Sequence, residues 1–242
     1  MDPVRDKAAA LSTLARGEIS LQGQFVRGSN YSFLVEVTLE ESIPAVYKPT
    51  RGEQPLWDFP THSLAKREAA AYLVSEALGW GFVPPTVYRR KGPLGAGSLQ
   101  LFIPHQPDYH TLNFTAEDRE RLRPVAVFDL LTNNADRKAS HVLKDGEGRL
   151  WLIDHGLCFH LEEKLRTVIW EFAGQPIPAD LLPDLARLAE TLTPEQPLWL
   201  ELKKLLRLAE LRALRRRALL LVKNPLFPYP PANERPFPWP PV

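Results

Sequence analysis

The fold of this chain is decided by residues 127–156, which read VFDLLTNNADRKASHVLKDGEGRLWLIDHG. An apolar helical run opens this stretch and gives way to a polar loop that carries Asp136. Residues 142–144 and 149–153 are predicted to form two short strands, because a tight Asp-Gly-Glu-Gly turn separates them. The hairpin would bring Asp154 close to Asp136, so that two carboxylates meet at the ends of apolar elements.

Two carboxylates in this arrangement suit phosphoryl transfer, in which one acts on a substrate hydroxyl and the other holds a metal ion. The motif Asn-x-Asp-Arg-x-x-x-His over residues 134–141, followed by Leu-Ile-Asp-His-Gly over residues 152–156, resembles the catalytic and metal-binding segments of phosphatidylinositol 3-/4-kinase-like proteins. It is also similar to HipA-type atypical kinases, and it resembles most a family of small bacterial phosphatidylinositol-kinase-like proteins. The larger families have Asp-Arg-His-x-x-Asn in this loop, whereas here His141 stands at the place of the metal-ligand Asn.

The resemblance implies an α+β fold that is bilobal and protein-kinase-like (atypical, phosphatidylinositol-kinase/HipA-like), in a single kinase-like domain over residues 1–242. A sheet-rich amino-terminal lobe is expected over residues 18–103 and a helical carboxyl-terminal lobe over residues 104–223, with the nucleotide cleft between them. The Pro-rich residues 224–242 are expected to form a strap over the helical lobe, because their four aromatic side chains are typical of anchors. A ligand for a partner that recognises polyproline II is the alternative.

The elements outside the central stretch are predicted from periodicity and from glycine and proline positions. Strands are expected at residues 19–26, 31–39, 45–48, 83–89 and 98–103. Helices are expected at residues 8–15, 62–78, 179–191 and 194–223, and from Thr115 to the polar loop with a bend at Pro124. In the second strand, alternation puts Tyr31 and Leu39 on the same face as the apolar residues between them.

By the resemblance, the catalytic candidates are Asp136, Arg137 and Lys138. Asp136 is expected to orient or deprotonate the acceptor hydroxyl, although an Asn-Ala-Asp-Arg loop could equally use it to form a turn. Arg137 could act by stabilising the loop or neutralising nearby carboxylates. Lys138 could approach the transferring phosphate or remain solvated.

The metal candidates are Asp154 and His141, for Mg²⁺ or Mn²⁺. A carboxylate directly after the apolar residues 151–153 is costly unless a metal or a hydrogen-bond donor compensates it. For His141, a role as a metal ligand and a purely structural role are equally favoured. As a ligand it would favour Mn²⁺ over Mg²⁺, and metal affinity would weaken as pH falls through about 6.5.

The candidates for binding ATP are Gly28, Ser29, Asn30, Lys48, Glu68, Phe102 and Ile103. Gly28 in a hairpin turn could let backbone amides approach the phosphates, although an ordinary β-turn explains it as well. Lys48 lies on an alternating strand, where a lysine usually points to solvent. Glu68 on the following helix could hold the Lys48 tip against the α/β-phosphates as an ion pair. Phe102 and Ile103 end the last strand before the expected connector between the lobes.

The composition bounds the class of protein. A chain of 242 residues with 44% hydrophobic and 24% charged residues is ordinary for a globular protein. The net charge of +1 gives no global field for nucleic acid, and no apolar stretch is long enough for an integral membrane segment. A single cysteine, Cys158, fits a reducing compartment, and no signal-peptide pattern opens the chain. A cytoplasmic monomer is therefore expected.

The last predicted helix is basic. Its cationic residues are Lys203, Lys204, Arg207, Arg212, Arg215, Arg216 and Arg217. A basic amphipathic helix would indicate a surface for anionic lipid. Because basic and apolar residues are interleaved around the helix, snorkelling arginines on a packed helix are favoured over that alternative.

The predicted function is an ATP- and divalent-metal-dependent phosphotransferase that acts on a hydroxyl of a protein or small molecule. An inositol lipid fits least as the substrate, because no membrane-binding segment is evident. The alternative is a nucleotide-binding pseudokinase that serves as a scaffold. The missing Asn ligand and the sparse glycine loop favour that alternative.

Overall fold

The computed structural model describes residues 6–25, 31–232 and 235–242. The strands are β1 (Glu18–Gln24), β2 (Phe33–Thr38), β3 (Ser42–Pro49), β4 (Thr86–Arg89), β5 (Gly97–Leu101), β6 (Val142–Lys144) and β7 (Leu150–Leu152). The α-helices are α1 (Lys7–Arg16), α2 (Leu64–Leu78), α3 (Ala116–Glu120), α4 (Arg123–Thr132), α5 (Leu182–Thr191), α6 (Pro197–Lys203) and α7 (Leu208–Lys223). The elements up to β5 form a sheet-rich part and those from α3 onward a helical part.

The sheet-rich part contains a five-stranded antiparallel sheet in the order β1-β2-β3-β5-β4. The predicted alternation in β2 buries Val35 and Val37 in the core of this sheet. Tyr31 and Leu39 do not share that buried face, since both lie outside the strand and are 61% and 41% exposed. The hydrophobic pattern therefore located the strand but overestimated its length at both ends.

Helix α2 begins two residues later than its apolar pattern predicts. His62 has a φ of 61°, which lies in the left-handed region, so the right-handed helix α2 begins only after this residue. At the other end Gly79 takes a φ of 78°, and its N–H donates to the carbonyls of Ser75 and Glu76. The closing glycine was read correctly from the sequence, whereas the start depended on a loop conformation that periodicity does not encode.

The long predicted helix after Thr115 is two helices. Thr115 caps α3, since its Oγ1 accepts from the N–H of Asp118 at 3.2 Å. The helix ends at Glu120, and Pro124 lies in the first turn of α4, where a missing N–H costs nothing. The bend expected at Pro124 is thus a break just before it.

The predicted helix over residues 194–223 is also divided. Arg207 has an extended backbone and acts as the amino-terminal cap of α7, where its N–H donates to Glu210 Oε2 at 2.8 Å. Glu210 is buried and forms an ion pair with Arg67 of α2. The cap and this contact with α2 place the start of α7, and neither is visible as a change in hydrophobic period.

The hairpin β6–β7 joins the two parts of the molecule. Its strands pair antiparallel as predicted, and the Asp145 side chain accepts the N–H groups of Glu147 and Arg149 in the turn. Leu143 and Trp151 pack into the same apolar cluster as the five-stranded sheet. The residue that follows β7 is therefore held against the sheet-rich part.

The tail after α7 lies along the helical part. The carbonyl of Pro236 accepts from the N–H of Thr167 at 3.0 Å and from the Trp170 indole at 3.1 Å. The carbonyl of Pro241 accepts from the N–H of Ala139 at 2.8 Å. Phe227 is the buried aromatic of this tail, whereas Trp239 is 73% exposed. Backbone carbonyls, more than aromatic anchors, hold the tail in place.

Within the described residues, no helix combines the length and apolar character needed to cross a membrane.

Candidate active site

Lys48, Glu68 and Asp154 meet at one point between the two parts of the molecule. The Lys48 Nζ lies 2.5 Å from Glu68 Oε1 and 3.0 Å from Asp154 Oδ1. The three side chains come from β3, α2 and the residue after the β6–β7 hairpin. Glu68 is 3% exposed, Lys48 23% and Asp154 48%, so the cluster is closed behind Glu68 and open to solvent at Asp154.

Local structure explains why these side chains converge. Lys48 stands in the register opposite Ser98 of β5, near the end of a central strand. Asp154 has a φ of 60°, a left-handed conformation that a bulky residue avoids and that Asp tolerates. The next residue, His155, donates its backbone N–H to Glu68 Oε2 at 3.0 Å. Glu68 therefore holds both the lysine tip and the backbone that carries Asp154.

In this cluster, neighbouring charges shift the pKa values of Lys48 and Asp154 so that both side chains stay charged. Burial alone would lower the pKa of Lys48, but the carboxylates of Asp154 and Glu68 outweigh burial and leave that pKa raised. Burial would raise the pKa of Asp154, yet Lys48 and His141 hold it below its ordinary range. For Glu68, burial prevails over Lys48 and the pKa is raised. Lys48 is thus a cation and Asp154 an anion at neutral pH.

Asp136 lies in the polar loop after α4. Its backbone N–H donates to Asn134 Oδ1 at 3.0 Å, and its Oδ2 lies 3.5 Å from Lys138 Nζ. Burial raises the pKa of Asp136 to about 6, while Lys138 opposes and Asp154 adds to the shift. A carboxylate with its pKa near neutrality is suited to accept a proton from a hydroxyl.

Arg137 is fully buried, and its guanidinium binds groups within the protein. Its guanidinium forms an ion pair with Asp129 of α4 at 2.9 Å and donates to the carbonyl of Ile153 at 2.9 Å. It also lies 2.9 Å from His155 Nε2. These contacts tie the loop, α4 and the segment after β7 together, so the guanidinium of Arg137 is occupied by groups within the protein.

His141 ends the short turn that connects the loop to β6. Its Nε2 lies 3.4 Å from Asp154 Oδ2, and its Nδ1 faces the backbone N–H of Lys138 at 3.4 Å. Accepting at Nδ1 requires the hydrogen on Nε2, which directs that hydrogen at Asp154. Burial lowers the pKa of His141 to about 4, against the attraction of Asp154. The protonation expected near pH 6.5 is therefore displaced to lower pH.

The remaining nucleotide candidates are placed differently. Phe102 is partly exposed and donates its N–H to the carbonyl of Pro44 at 3.0 Å. Ile103 is buried in the apolar cluster of the sheet, and its carbonyl lies 2.8 Å from His105 Nδ1. The side chain of Ile103 is thus a core residue. Gly28, Ser29 and Asn30 lie outside the described residues.

Two residues that hold the site were not among the site candidates predicted from the sequence. Asp129 is fully buried in α4 and accepts from both Arg137 and Asn134. His155 accepts from Arg137 at Nε2, so its buried Nδ1 carries the hydrogen, which has no hydrogen-bond partner; Glu68 Oε2 lies 4.0 Å from this Nδ1. The signal for Asp129 was available, since an acid within an apolar helical run calls for a buried partner.

The donors for a metal ion are few. Among the described residues, no group of three or more His, Cys, Asp or Glu side chains could hold one. Asp154 presents half-exposed carboxylate oxygens, which suit Mg²⁺ or Mn²⁺ when substrate phosphates and water complete the shell. His141 would have to change its tautomer before Nε2 could bind a metal. The residues present thus fit a metal that arrives with phosphate better than a self-contained metal centre.

The comparison with solved structures defines the class of fold. The chain matches the structure of hydra Fam20 with sugar at a TM-score of 0.58, with 16% identity over 92% of this chain and 90% of that one. It matches the Golgi casein kinase at a TM-score of 0.59, with 16% identity over 90% of this chain and 74% of that one. The predicted α+β, protein-kinase-like fold class is confirmed.

Sequence comparison defines the family. No protein-family model matches the chain. Protein Rv2133c of Mycobacterium tuberculosis is 42% identical over 95% of this chain and 94% of its own length, so the chain belongs to the family of Rv2133c. Phosphatidylinositol 4-kinase gamma 4 of rice (Oryza sativa) is 34% identical over 46% of this chain, a match that spans 23% of the plant protein. A phosphatidylinositol 4-kinase gamma of Arabidopsis thaliana matches over 49% of this chain at 31% identity.

Proposed function

We propose that the chain is an ATP- and divalent-metal-dependent phosphotransferase that acts on a hydroxyl of a protein or small molecule. The observation that carries this proposal is the position of Lys48 between Glu68 and Asp154. A lysine that is charged, 23% exposed and fixed by two carboxylates is a ready partner for phosphate oxygens. Glu68 alone is enough to neutralise this lysine, so the second carboxylate, Asp154, is available to a ligand.

The nucleotide would lie with its α/β-phosphates at Lys48 and its base towards Phe102, where β5 ends. Glu68 keeps Lys48 in place, and its contact with the His155 N–H keeps the backbone of Asp154 in register with it. Gly28, Ser29 and Asn30 belong to the proposed site through the sequence alone. The base and phosphate contacts of this proposal thus come from the sheet-rich part, and Asp154 meets them from the end of the β6–β7 hairpin.

The acceptor hydroxyl would lie at Asp136. With a pKa of about 6, Asp136 is mostly ionised at pH 7. It would accept the hydroxyl proton as the hydroxyl oxygen bonds to the γ-phosphorus of ATP, while the bond from that phosphorus to the β–γ bridging oxygen breaks and ADP leaves. Lys138, 3.5 Å from Asp136, would approach the phosphoryl group during transfer. Arg137 orders the loop from below and does not touch the reactants.

A divalent cation would be held by Asp154, with His141 as the second candidate ligand. Such an ion would neutralise negative charge on the phosphates during transfer. One of the structures that share this fold, at a TM-score of 0.56, is the Golgi casein kinase with Mn/ADP bound. That precedent supports supplying Mn²⁺ as well as Mg²⁺ in any assay of this chain.

The test is incubation of the protein with γ-labelled ATP and Mg²⁺ or Mn²⁺, followed by mass spectrometry for phosphorylated residues and by measurement of ADP release. The wild type is expected to transfer phosphate to itself or to added acceptors, and Asp136→Ala to lose transfer by at least about a hundredfold. Asp108→Ala, which changes an exposed Asp of the connector, is the matched control and should keep wild-type activity.

A scaffold that binds nucleotide without transfer is the competing function, and the short list of metal donors supports it. Thermal melting distinguishes the two, because a ligand that binds the folded state raises the melting temperature. Stabilisation by ATP with no turnover under either metal would favour the scaffold. Absence of stabilisation by ATP and by GTP would contradict both functions.

A further inference from the structure

One of the cavities of the molecule lies far along the chain from the candidate active site. A groove of about 510 Å³ opens on the helical part, between the end of α5, α6 and α7. Leu192 and Trp199 form its apolar floor, and both are buried. We call it the α6–α7 groove. A pocket of this volume is large enough to receive a phosphate-bearing group together with part of an apolar chain.

The walls of the groove carry one sign of charge. Four of its lining residues are cations, and none is acidic: Lys203, Arg212, Arg215 and Arg216. In residues 6–25, 31–232 and 235–242, none of these four forms an ion pair with a carboxylate. Since the whole chain has a net charge of only +1, this local excess of four charges is a concentrated positive patch.

Two of these cations and two exposed leucines share one stripe of α7. Leu208, Arg212, Arg215 and Leu219 follow each other at intervals of four, three and four residues, which places them on one face of the helix. Leu208 is 43% exposed and Leu219 45%. Like charges three and four residues apart destabilise a helix, so this stripe gains stability when an anion binds.

One arginine of the stripe is already held in position. Arg215 donates its Nε–H to the carbonyl of Ala189 near the end of α5, at 3.0 Å. A guanidinium has five N–H donors, so the others stay available to a phosphate oxygen, which arginine can bind through two parallel hydrogen bonds. The side chains of Arg212 and Arg216 are exposed on either side.

We propose that the α6–α7 groove is a peripheral docking site for an anionic lipid bilayer, with a phospholipid phosphate held by Arg212, Arg215 and Arg216. A nucleic acid would satisfy the arginines but would leave the leucines in water. A bilayer surface receives both, because the exposed leucines enter the boundary between headgroups and acyl chains while the arginines meet the phosphates. The arginines of α7 are thus of two kinds. Arg212 and Arg216 are exposed, whereas Arg217 is buried and donates to the carbonyl of Leu131.

The site is independent of phosphotransfer, and its test needs no substrate. The full chain is mixed with vesicles of phosphatidylcholine alone, or with phosphatidylglycerol added, and bound protein is measured by co-sedimentation at several salt concentrations. Binding is expected only to the anionic vesicles and is expected to weaken with salt. The paired variant Arg212→Glu with Arg216→Glu should lower binding by more than about 25-fold, since each basic residue near a membrane contributes roughly fivefold.

A charge-matched control separates a specific face from overall charge. Arg90→Glu with Lys91→Glu makes the same change of charge on the exposed turn after β4 and should bind vesicles as the wild type does. Leu208→Ser with Leu219→Ser tests the apolar contribution and should weaken vesicle binding while leaving the melting temperature unchanged. Equal losses in the α7 and control charge pairs would overturn the proposal.

Two soluble probes complete the test. Glycerol phosphate carries the headgroup chemistry without a bilayer, and it should compete for vesicle binding only weakly. A short oligouridylate carries a polyanion without an apolar chain. If the oligonucleotide binds as tightly as the anionic vesicles and displaces them, the groove is a nucleic-acid site and the membrane proposal is wrong.

Discussion

Two clusters of charged side chains lie side by side around the polar loop, and they differ in how completely they are closed. In the first, Arg137 and Asp129 are 0% and 1% exposed, and each is paired within the protein. In the second, Lys48 and Glu68 are joined by Asp154, whose carboxylate is 48% exposed. The two clusters have similar residue types, so exposure is what separates them.

The difference shows which charges hold the protein and which are available to a ligand. The closed cluster is balanced, with Arg137 matched by Asp129, and Asn134 and backbone carbonyls meet the remaining hydrogen-bonding groups. The open cluster has two carboxylates, Glu68 and Asp154, against the one lysine between them. An excess of negative charge next to a fixed lysine suits a metal–phosphate complex, which brings both signs of charge.

The largest expected effect comes from opening the closed cluster. Asp129→Ala leaves Arg137 buried without a counter-charge and should lower the free energy of unfolding by about 3–5 kcal/mol. Urea denaturation measures the change. Glu120→Ala is the matched control, since Glu120 is 67% exposed in its ion pair with Arg123 and should cost less than about 1 kcal/mol. Similar losses in the two variants would show that the Arg137–Asp129 pair does not hold the loop.

A substitution of Asp136, next to the open cluster, should instead raise the free energy of unfolding. Asp136 has a folded pKa of about 6, above an unfolded value of about 3.9, so its ionisation opposes folding at neutral pH. Asp136→Asn should therefore stabilise the metal-free protein by about 1–3 kcal/mol at pH 8. The gain should shrink as pH falls from about 6 towards about 4, because the folded wild type then takes up the proton.

Urea denaturation of wild type and Asp136→Asn at several pH values measures this difference. A gain that is the same at pH 8 and at pH 4.5 would mean that the substitution acts through packing and not through ionisation. Stabilisation together with lost phosphotransfer is the combination expected of a residue kept for chemistry at a cost in stability.

The smallest expected effect concerns His141, at the border of the two clusters. Because its Nε2 hydrogen points at Asp154, we expect His141→Asn to change the ratio of Mn²⁺ to Mg²⁺ affinity by less than about twofold. Stability should change by no more than about 1 kcal/mol, the size of one hydrogen bond. Metal titration followed by melting temperature measures both. A strong shift in preference towards Mg²⁺ would identify His141 as a metal ligand.

The parts of this site that depend on spacing within one stretch of the chain could be predicted from the sequence. Asp136, Asp154 and the hairpin between them could be predicted, because a tight turn converts short spacing along the chain into proximity. Lys48 and Glu68 needed the resemblance to be paired, since a strand lysine and a helix glutamate meet only through tertiary packing. Asp129 was not predicted as a site residue because its partner, Arg137, could equally be a catalytic residue.

The limits of the fold prediction have the same origin. Apolar periodicity located nearly every element, including α2 and the strands of the sheet. It did not locate the break before Arg207, because the cap that starts α7 is a backbone bond to Glu210, and Glu210 is oriented by Arg67. The left-handed backbone of His62 is likewise set by its loop. Boundaries made by distant contacts are the ones that a local pattern cannot contain.

The backbone bond from Ala139 to Pro241 has a consequence for the timing of synthesis. The polar loop is made roughly a hundred residues before the carbonyl that accepts its N–H. At about 5–20 residues per second, translation takes roughly 5–20 s to cover that distance. During that interval the nascent chain can form its sheet while the loop beside Asp136 still lacks a partner. A ribosome that stops before Pro241 would therefore release a chain in which the Ala139 N–H lacks this acceptor.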